Sequence, residues 1–165
     1  MEITYRTINQ SDDNDLALII KSTLIEYNSA TDGTVFTDEG TNALSTTFTD
    51  PRSRYFVAYS GEELLGGAGI NLLPGESDEV CELQRMFLKP AARGKGIGKK
   101  LMVWLAQKAK QKGYQIIWLD AMDYQPQAFQ FYKKQAFEYH SHWFLPYELM
   151  HKELRKISQL YKKLI

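Results

Sequence analysis

The sequence predicts an α/β domain whose sheet is antiparallel at first and parallel in the middle. Three observations carry this. Two strand-like runs flank Gly61 and read as a hairpin. A strand pattern at 80–88, a helical stripe after Ile97 and a continuous apolar run at 116–119 make a strand–helix–strand unit. Such a crossover is right-handed and joins parallel strands. Between the first strand of that unit and its helix lies Arg93-Gly94-Lys95-Gly96-Ile97-Gly98, a loop suited to an anion.

Taken in order, residues 2–8 alternate Ile3, Tyr5 and Thr7 against polar neighbours, which predicts a half-exposed strand. Ser11 is the expected N-cap of a first helix with three acids in its first turn. Leu16, Ile19, Ile20, Thr23, Leu24 and Tyr27 recur at helical spacing. A weaker helix is expected from Thr37 to about Phe48, interrupted by Gly40. Strands at 54–60 and 63–73 form the hairpin; Gly66, Gly67 and Gly69 in the second mark a bulge or a close neighbour.

Pro74 begins an acidic loop, and the strand 80–88 follows. Ile97, Leu101, Trp104, Leu105 and Ala109 give the next helix its apolar stripe, and Gly113 ends it. Ile116-Ile117-Trp118-Leu119 suits a strand covered on both faces. Residues 126–134 predict a short helix, 137–144 and 149–152 two strands, and 155–164 a basic amphipathic tail helix.

The 165 residues fit a single domain, 1–165, able to bury its own core. A single cysteine, Cys81, excludes an intrachain disulfide. With no leader-like segment at the start, a reducing, cytoplasmic setting is expected. No apolar run is long enough to span a membrane. Residues 85–112 hold nine Lys or Arg and no acid, whereas residues 9–50 hold eight acids and one base. Two faces with different partners follow from that split.

In the loop, glycines at alternate positions let main-chain N–H groups converge on a ligand. The following helix adds free N–H groups and the positive end of its dipole. Arg93, Lys95, Lys99 and Lys100 add full charges, so a diphosphate is the expected occupant. A P-loop is excluded because Lys99 precedes Lys100, not Ser or Thr. A dinucleotide fold is a rival, with Asp120 as the ribose acid. Against it, residues 89–93 separate strand from first glycine, and the third glycine comes one residue early. A nucleic-acid module would use the lysines but leaves the loop glycines unexplained.

The spacing Arg93-x-x-Gly96-x-Gly98, after a strand carrying Glu82 and Met86-Phe87-Leu88, resembles the acyl-CoA loop of the GNAT superfamily of N-acetyltransferases. Downstream, Ala128-Phe129-Gln130-Phe131-Tyr132 and Ala136-Phe137 match that family's tyrosine helix. The resemblance implies the GNAT fold: a mixed, mostly antiparallel sheet of about seven strands, flanked by helices, with a splayed parallel pair at its centre. It implies acetyl transfer from acetyl-CoA to a primary amine on a small molecule or protein, with no metal, nucleic acid or membrane involved. A catalytically silent acyl-CoA sensor is the alternative. Dimers are common in the family.

Residue by residue, the resemblance makes Glu82 the candidate general base and Tyr132 the candidate general acid. On a regular strand Glu82 shares a face with Gln84, Met86 and Leu88. Met86, Phe87 and Leu88 would meet the pantetheine arm; Arg93, Gly94, Lys95, Gly96, Ile97, Gly98 and Lys99 would hold the diphosphate. Ala128 and Gln125 flank the arm, with Gln125 where the family often has Asn, and Lys134 is a nucleotide-phosphate candidate. Ala136 stands where the family usually has Gly, which predicts a less left-handed turn. The acceptor region falls at 24–48 and 140–147. There Glu26, Asp32, Asp38 and Glu39 favour a cationic acceptor, and Tyr27, Phe36, Tyr124 and Trp143 are candidate pocket walls. His140 and His142 lack a third ligand, so no metal site is expected.

Overall fold

In the computed structural model, residues 2–122, 126–140 and 158–165 are described. Seven strands form one sheet: β1 (Ile3–Thr7), β2 (Arg54–Ser60), β3 (Glu63–Leu72), β4 (Val80–Leu88), β5 (Ile116–Met122), β6 (Glu138–His140) and β7 (Ser158–Leu164). Their order across the sheet is β1-β2-β3-β4-β5-β7-β6. All neighbours are antiparallel except β4 and β5. The antiparallel β3–β4 pair is not the parallel neighbour that a dinucleotide fold would place there.

The helices α1 (Asp13–Glu26), α2 (Leu44–Thr47), α3 (Ile97–Gln111) and α4 (Pro126–Lys134) complete the fold. The apolar stripe of α3 packs Ile97, Leu101, Met102, Leu105 and Ala109 against Ala68, Ile70, Cys81, Leu83 and Ile117 of the sheet. On the other face, Leu16, Ile19, Ile20 and Leu24 of α1 meet Tyr55 and Val57 of β2 and Leu64 of β3. Ile117, Leu119 and Ala121 of β5 join the α3-side core, and Trp118 packs with Leu73 and Val80 in a separate small cluster, so the apolar run is buried over 117–119 as its sequence suggests.

Three local expectations are corrected. The cap before α1 is Asn9, not Ser11: its side chain accepts from Ser11 N at 2.9 Å while the Asp12 carboxylate accepts from Asn9 N at 2.8 Å. A 3-10 turn, Gln10–Asp12, precedes α1 and moves the cap two residues earlier. The helix expected at 37–48 is a 3-10 turn, Glu39–Asn42, and the single turn α2, broken at Ala43. Thr41 and Thr47 hydroxyls bond nearby main-chain carbonyls and compete with the helix ladder.

The third correction is the C-terminus. The tail helix expected at 155–164 is, over its described part, strand β7. Each of the seven residues of β5 pairs with β7, from Ile116↔Leu164 to Met122↔Ser158. The edge of a buried apolar strand needs a partner for its amides, and that demand overrides local helix periodicity. The strand expected at 149–152 and the end of that expected at 137–144 lie outside the described residues. Among the described residues, no helix is long and apolar enough to cross a membrane.

Candidate active site

The site is built around the end of β4. Its pairing with β5 covers Val80↔Ile116, Cys81↔Ile117 and Glu82↔Trp118. Beyond Glu82, β4 runs on to Leu88 paired to β3, while β5 runs on paired to β7. The two parallel strands therefore part after Glu82, and among the described residues no strand pairs with the edge that β4 turns toward the gap.

A bulge then changes which way β4 faces. Gly69 pairs with Gln84 but Gly67 pairs with Phe87, so Ala68 alone stands opposite Arg85 and Met86. Arg85 takes the left-handed φ of 52° that the bulge imposes. The buried Tyr55 hydroxyl donates to the Arg85 carbonyl at 2.8 Å and holds it. The tyrosine ring fits because its neighbours on β3 have no side chain: a Cβ on Gly67 would lie 2.4 Å from its Cε1, and one on Gly69 2.6 Å from its Cδ2.

The bulge corrects the expected facing of β4. Cys81 and Leu83 belong to the α3-side core, so Glu82 and Gln84 point to the opposite face. After the extra residue, Met86 and Leu88 pack on the α3 side and Phe87 on the α1 side. Glu82 thus shares its face with Gln84 but not with Met86 and Leu88. Gln84 donates to the half-buried Glu82 carboxylate. Burial raises the Glu82 pKa and the Asp120 carboxylate adds to the rise; the Gln84 bond and Arg85 oppose it.

A cavity of about 410 Å³ opens beside the end of β4. Met86, Phe87 and Leu88 form one wall, and Arg93, Gly94, Gly96, Gly98 and Lys99 the floor. Gly94 and Gly96 have φ of 72° and 78°, conformations that a side chain would strain. Gly96 precedes the first turn of α3, and among the described residues no side chain caps it. The first N–H groups of α3 are therefore left for a ligand. Gly98 is small for a different reason: a Cβ there would lie 3.1 Å from Met86 Cε and 3.3 Å from Phe131 Cζ.

From the far side, α4 contributes Ala128, Phe131, Tyr132 and Lys134. The Tyr132 ring meets Phe131 and Phe137 edge-on, with centroids 5.3 Å and 5.8 Å away. Burial raises its phenol pKa, so it stays protonated at neutral pH. The helix ends in a Schellman motif: Phe137 N donates to Tyr132 O at 3.1 Å and Ala136 N to Lys133 O at 3.0 Å. Ala136 has φ of 63°, so the turn is fully left-handed, not less so as its side chain suggests. Burial of Phe137, 2 % exposed, forces the conformation.

The end of α1 closes the cavity with Thr23 and Tyr27. Glu26 accepts two bonds from Arg93, at 2.7 and 2.8 Å. The Arg93 bond is the largest influence on the Glu26 carboxyl and holds it below its usual range.

These features agree with what the chain is similar to. The model of the Acetyltransferase (GNAT) family matches residues 20–137. The chain belongs to the GNAT family of acetyltransferases. It is 30 % identical over 135 residues to the uncharacterized N-acetyltransferase YjgM of Escherichia coli (strain K12), covering 81 % of each chain. A GNAT-family acetyltransferase of Staphylococcus aureus Mu50 superposes with a TM-score of 0.82 at 20 % identity, covering 99 % of both chains. The PaiA N-acetyltransferase of Thermoplasma acidophilum, solved with coenzyme A, superposes with a TM-score of 0.78 at 18 % identity over the full length of both.

In this GNAT chain the cavity gathers Met86, Phe87, Leu88, Arg93, Gly94, Gly96, Gly98, Lys99, Ala128, Tyr132, Lys134 and Tyr27 of the candidates. Ile97 is core, Lys95 is exposed on the loop, and Glu82 is not among the residues that line the cavity. Phe36 packs with the α1-side core instead of the cavity. Gln125, Tyr124 and Trp143 lie outside the described residues. Gln127, Gln130, Phe131 and Gln135 also line the cavity. Helical spacing from Tyr132 points to Gln135, three residues on, but not to Phe131, its immediate neighbour in the chain. Cys81 is buried and its thiol is pushed up to about 12, so it is a packing residue.

Proposed function

We propose that this GNAT acetyltransferase moves the acetyl group of acetyl-CoA to a primary amine by direct attack in a ternary complex. Glu82 takes the ammonium proton and Tyr132 returns a proton to the departing thiolate. The parting of β4 from β5 immediately after Glu82 carries this reading. It leaves a gap in the sheet beside the cavity that Tyr132 lines, with Met86 and Leu88 on the α3 side of β4 and Glu82 on its opposite face. Donor and acceptor can then approach from opposite faces and meet in the gap.

The residues fit the donor. Uncapped α3 amides and left-handed glycines suit a diphosphate, with Lys99 and Lys134 at the cavity wall. The open edge of β4 suits a chain of amides, which it would pair as an added strand. Acetyl-CoA brings the activated acyl group as a thioester. An alkylammonium acceptor has a pKa of about 10.4 and must lose a proton before its nitrogen can attack. Glu82, half-buried and with its pKa raised by burial, is a stronger base than an ordinary glutamate. As the new C–N bond forms and the C–S bond breaks, the protonated Tyr132 phenol supplies the thiolate's proton, and the second proton lost by the attacking nitrogen restores the phenol.

Two of the four acids first assigned to a cationic acceptor are already paired, Glu26 with Arg93 and Asp38 with Arg85. Attraction for an ammonium then falls to Asp32, Glu39 and Glu82. The test is release of free thiol from acetyl-CoA with a panel of polyamines, aminoglycoside-like amines, lysyl peptides and amino acids. Amine-dependent thiol release that falls sharply in Glu82→Gln is the expected result. Stabilisation by acetyl-CoA without turnover on any amine would replace the enzyme reading with that of a sensor.

A further inference from the structure

The first residue of the loop motif is where the structure departs most from its sequence reading. An arginine carries five N–H donors. In Arg93, Nε donates to Leu88 O at 3.0 Å, Nη1 to Glu26 Oε1 at 2.7 Å and Tyr27 OH at 3.4 Å, and Nη2 to Glu26 Oε2 at 2.8 Å and Thr23 Oγ1 at 3.3 Å. Every donor has a partner, and the guanidinium also lies 5.7 Å from the centroid of the Tyr27 ring. Its charge is met in the paired, fork-on-carboxylate geometry that makes the strongest such contacts.

We infer that Glu26 is a positioning residue for the diphosphate loop. It acts through Arg93, whose guanidinium ties the last turn of α1 to the end of β4 and does not itself ligate the diphosphate. This rests on the proposed use of acetyl-CoA. The left-handed Gly94 and Gly96 that follow are free to adopt many conformations, and an anchored Arg93 fixes where that flexible stretch begins. Order established before binding need not be established at the expense of affinity. The diphosphate is then left to the α3 amides, Lys95, Lys99 and Lys134.

The sign of one substitution separates this from a purely electrostatic role. Glu26→Gln removes a negative charge near the loop. If Glu26 only repelled the diphosphate or competed for Arg93, coenzyme A would bind more tightly. With Glu26 as a positioning residue, coenzyme A binds about three- to tenfold more weakly, the KM for acetyl-CoA rises alike and kcat is kept. Arg93→Lys keeps the charge but cannot span four partners, so it matches Glu26→Gln, and the double variant is no worse than either.

Hydrogen exchange of the amides at 94–98, measured without ligand, provides a separate arm: it speeds up about tenfold in Glu26→Gln. Unchanged exchange, or equal or tighter binding of coenzyme A by Glu26→Gln, overturns the inference. Wild-type protein that fails to bind coenzyme A overturns the proposed function instead, and the exchange arm still reads the tie.

Discussion

Tyr55→Phe tests the device that shapes the site without touching a substrate. The substitution keeps the ring, which fills the space left by Gly67 and Gly69, and deletes one hydroxyl. That hydroxyl is 2.8 Å from the Arg85 carbonyl, and Tyr55 is fully buried. Losing such a bond and leaving its acceptor without this partner costs about 1–3 kcal/mol. For a chain of this size, each kcal/mol lowers Tm by about 2–4 °C, so a fall of about 2–12 °C is expected. Burial pushes the Tyr55 phenol well above its usual range, so it donates at every working pH and the loss is pH-independent.

The second readout is functional. With its carbonyl released, the bulge at Arg85 is less firmly held, and Met86, Phe87 and Leu88 follow it directly. The KM for acetyl-CoA is expected to rise while Glu82, which precedes the bulge, keeps its place. Gly67→Ala is the companion: its Cβ would meet Tyr55 Cε1 at 2.4 Å and the Phe56 carbonyl at 2.6 Å, so it destabilises more than Tyr55→Phe. A Tyr55→Phe protein with wild-type Tm and wild-type KM would mean that the strand ladder alone holds the bulge, and the reasoning fails.

Glu82→Gln lowers kcat/KM about 10²–10³-fold and removes the acid limb of the pH profile, whose midpoint in the wild type lies above the usual 4.5. The same change raises Tm at pH 7. A raised folded-state pKa means that ionisation costs stability as pH rises through it, so the gain of the glutamine vanishes as pH falls below 4.5. Tyr132→Phe keeps its packing on Phe131 and Phe137 and its affinity for acetyl-CoA, but loses about 10²-fold in kcat; an unchanged kcat removes the general-acid role. Ala136→Gly relieves a left-handed alanine, at about 1–2 kcal/mol, against a greater freedom of glycine in the unfolded chain of about 0.4–1 kcal/mol. A net gain of up to about 1.6 kcal/mol follows, read as a Tm higher by up to about 6 °C.

What the sequence discloses about the site is what local backbone chemistry determines. Gly94 and Gly96 announce themselves because the turn into α3 needs left-handed residues there, and Gly61 because the β2–β3 turn does. Glu82 is found by its place on a strand before that loop. The features that escape sequence reading depend on partners far along the chain. The Arg85 bulge needs Tyr55, thirty positions earlier, and the Arg93–Glu26 pair joins residues sixty-seven apart. The C-terminal strand forms because the edge of β5 opposite β4 needs a partner along its whole length; its own residues suit a helix equally well. The run Gly66-Gly67-Ala68-Gly69 did signal a close neighbour, but not which residue fills the space.

The bulge also explains how one strand can serve two substrates. Without the extra residue, alternation would carry Met86 and Leu88 to the Glu82 face and turn Phe87 toward α3. The donor wall and the base would then lie on one side of the sheet, and the gap between β4 and β5 would have nothing to separate. With it, the strand presents a carboxylate to one face before Arg85 and the side chains of Met86 and Leu88 to the other face after it. Three glycines on β3 and one buried phenol maintain that change of face. The glycines of β3 therefore act on the site as directly as those of the loop, although none of them lines the cavity.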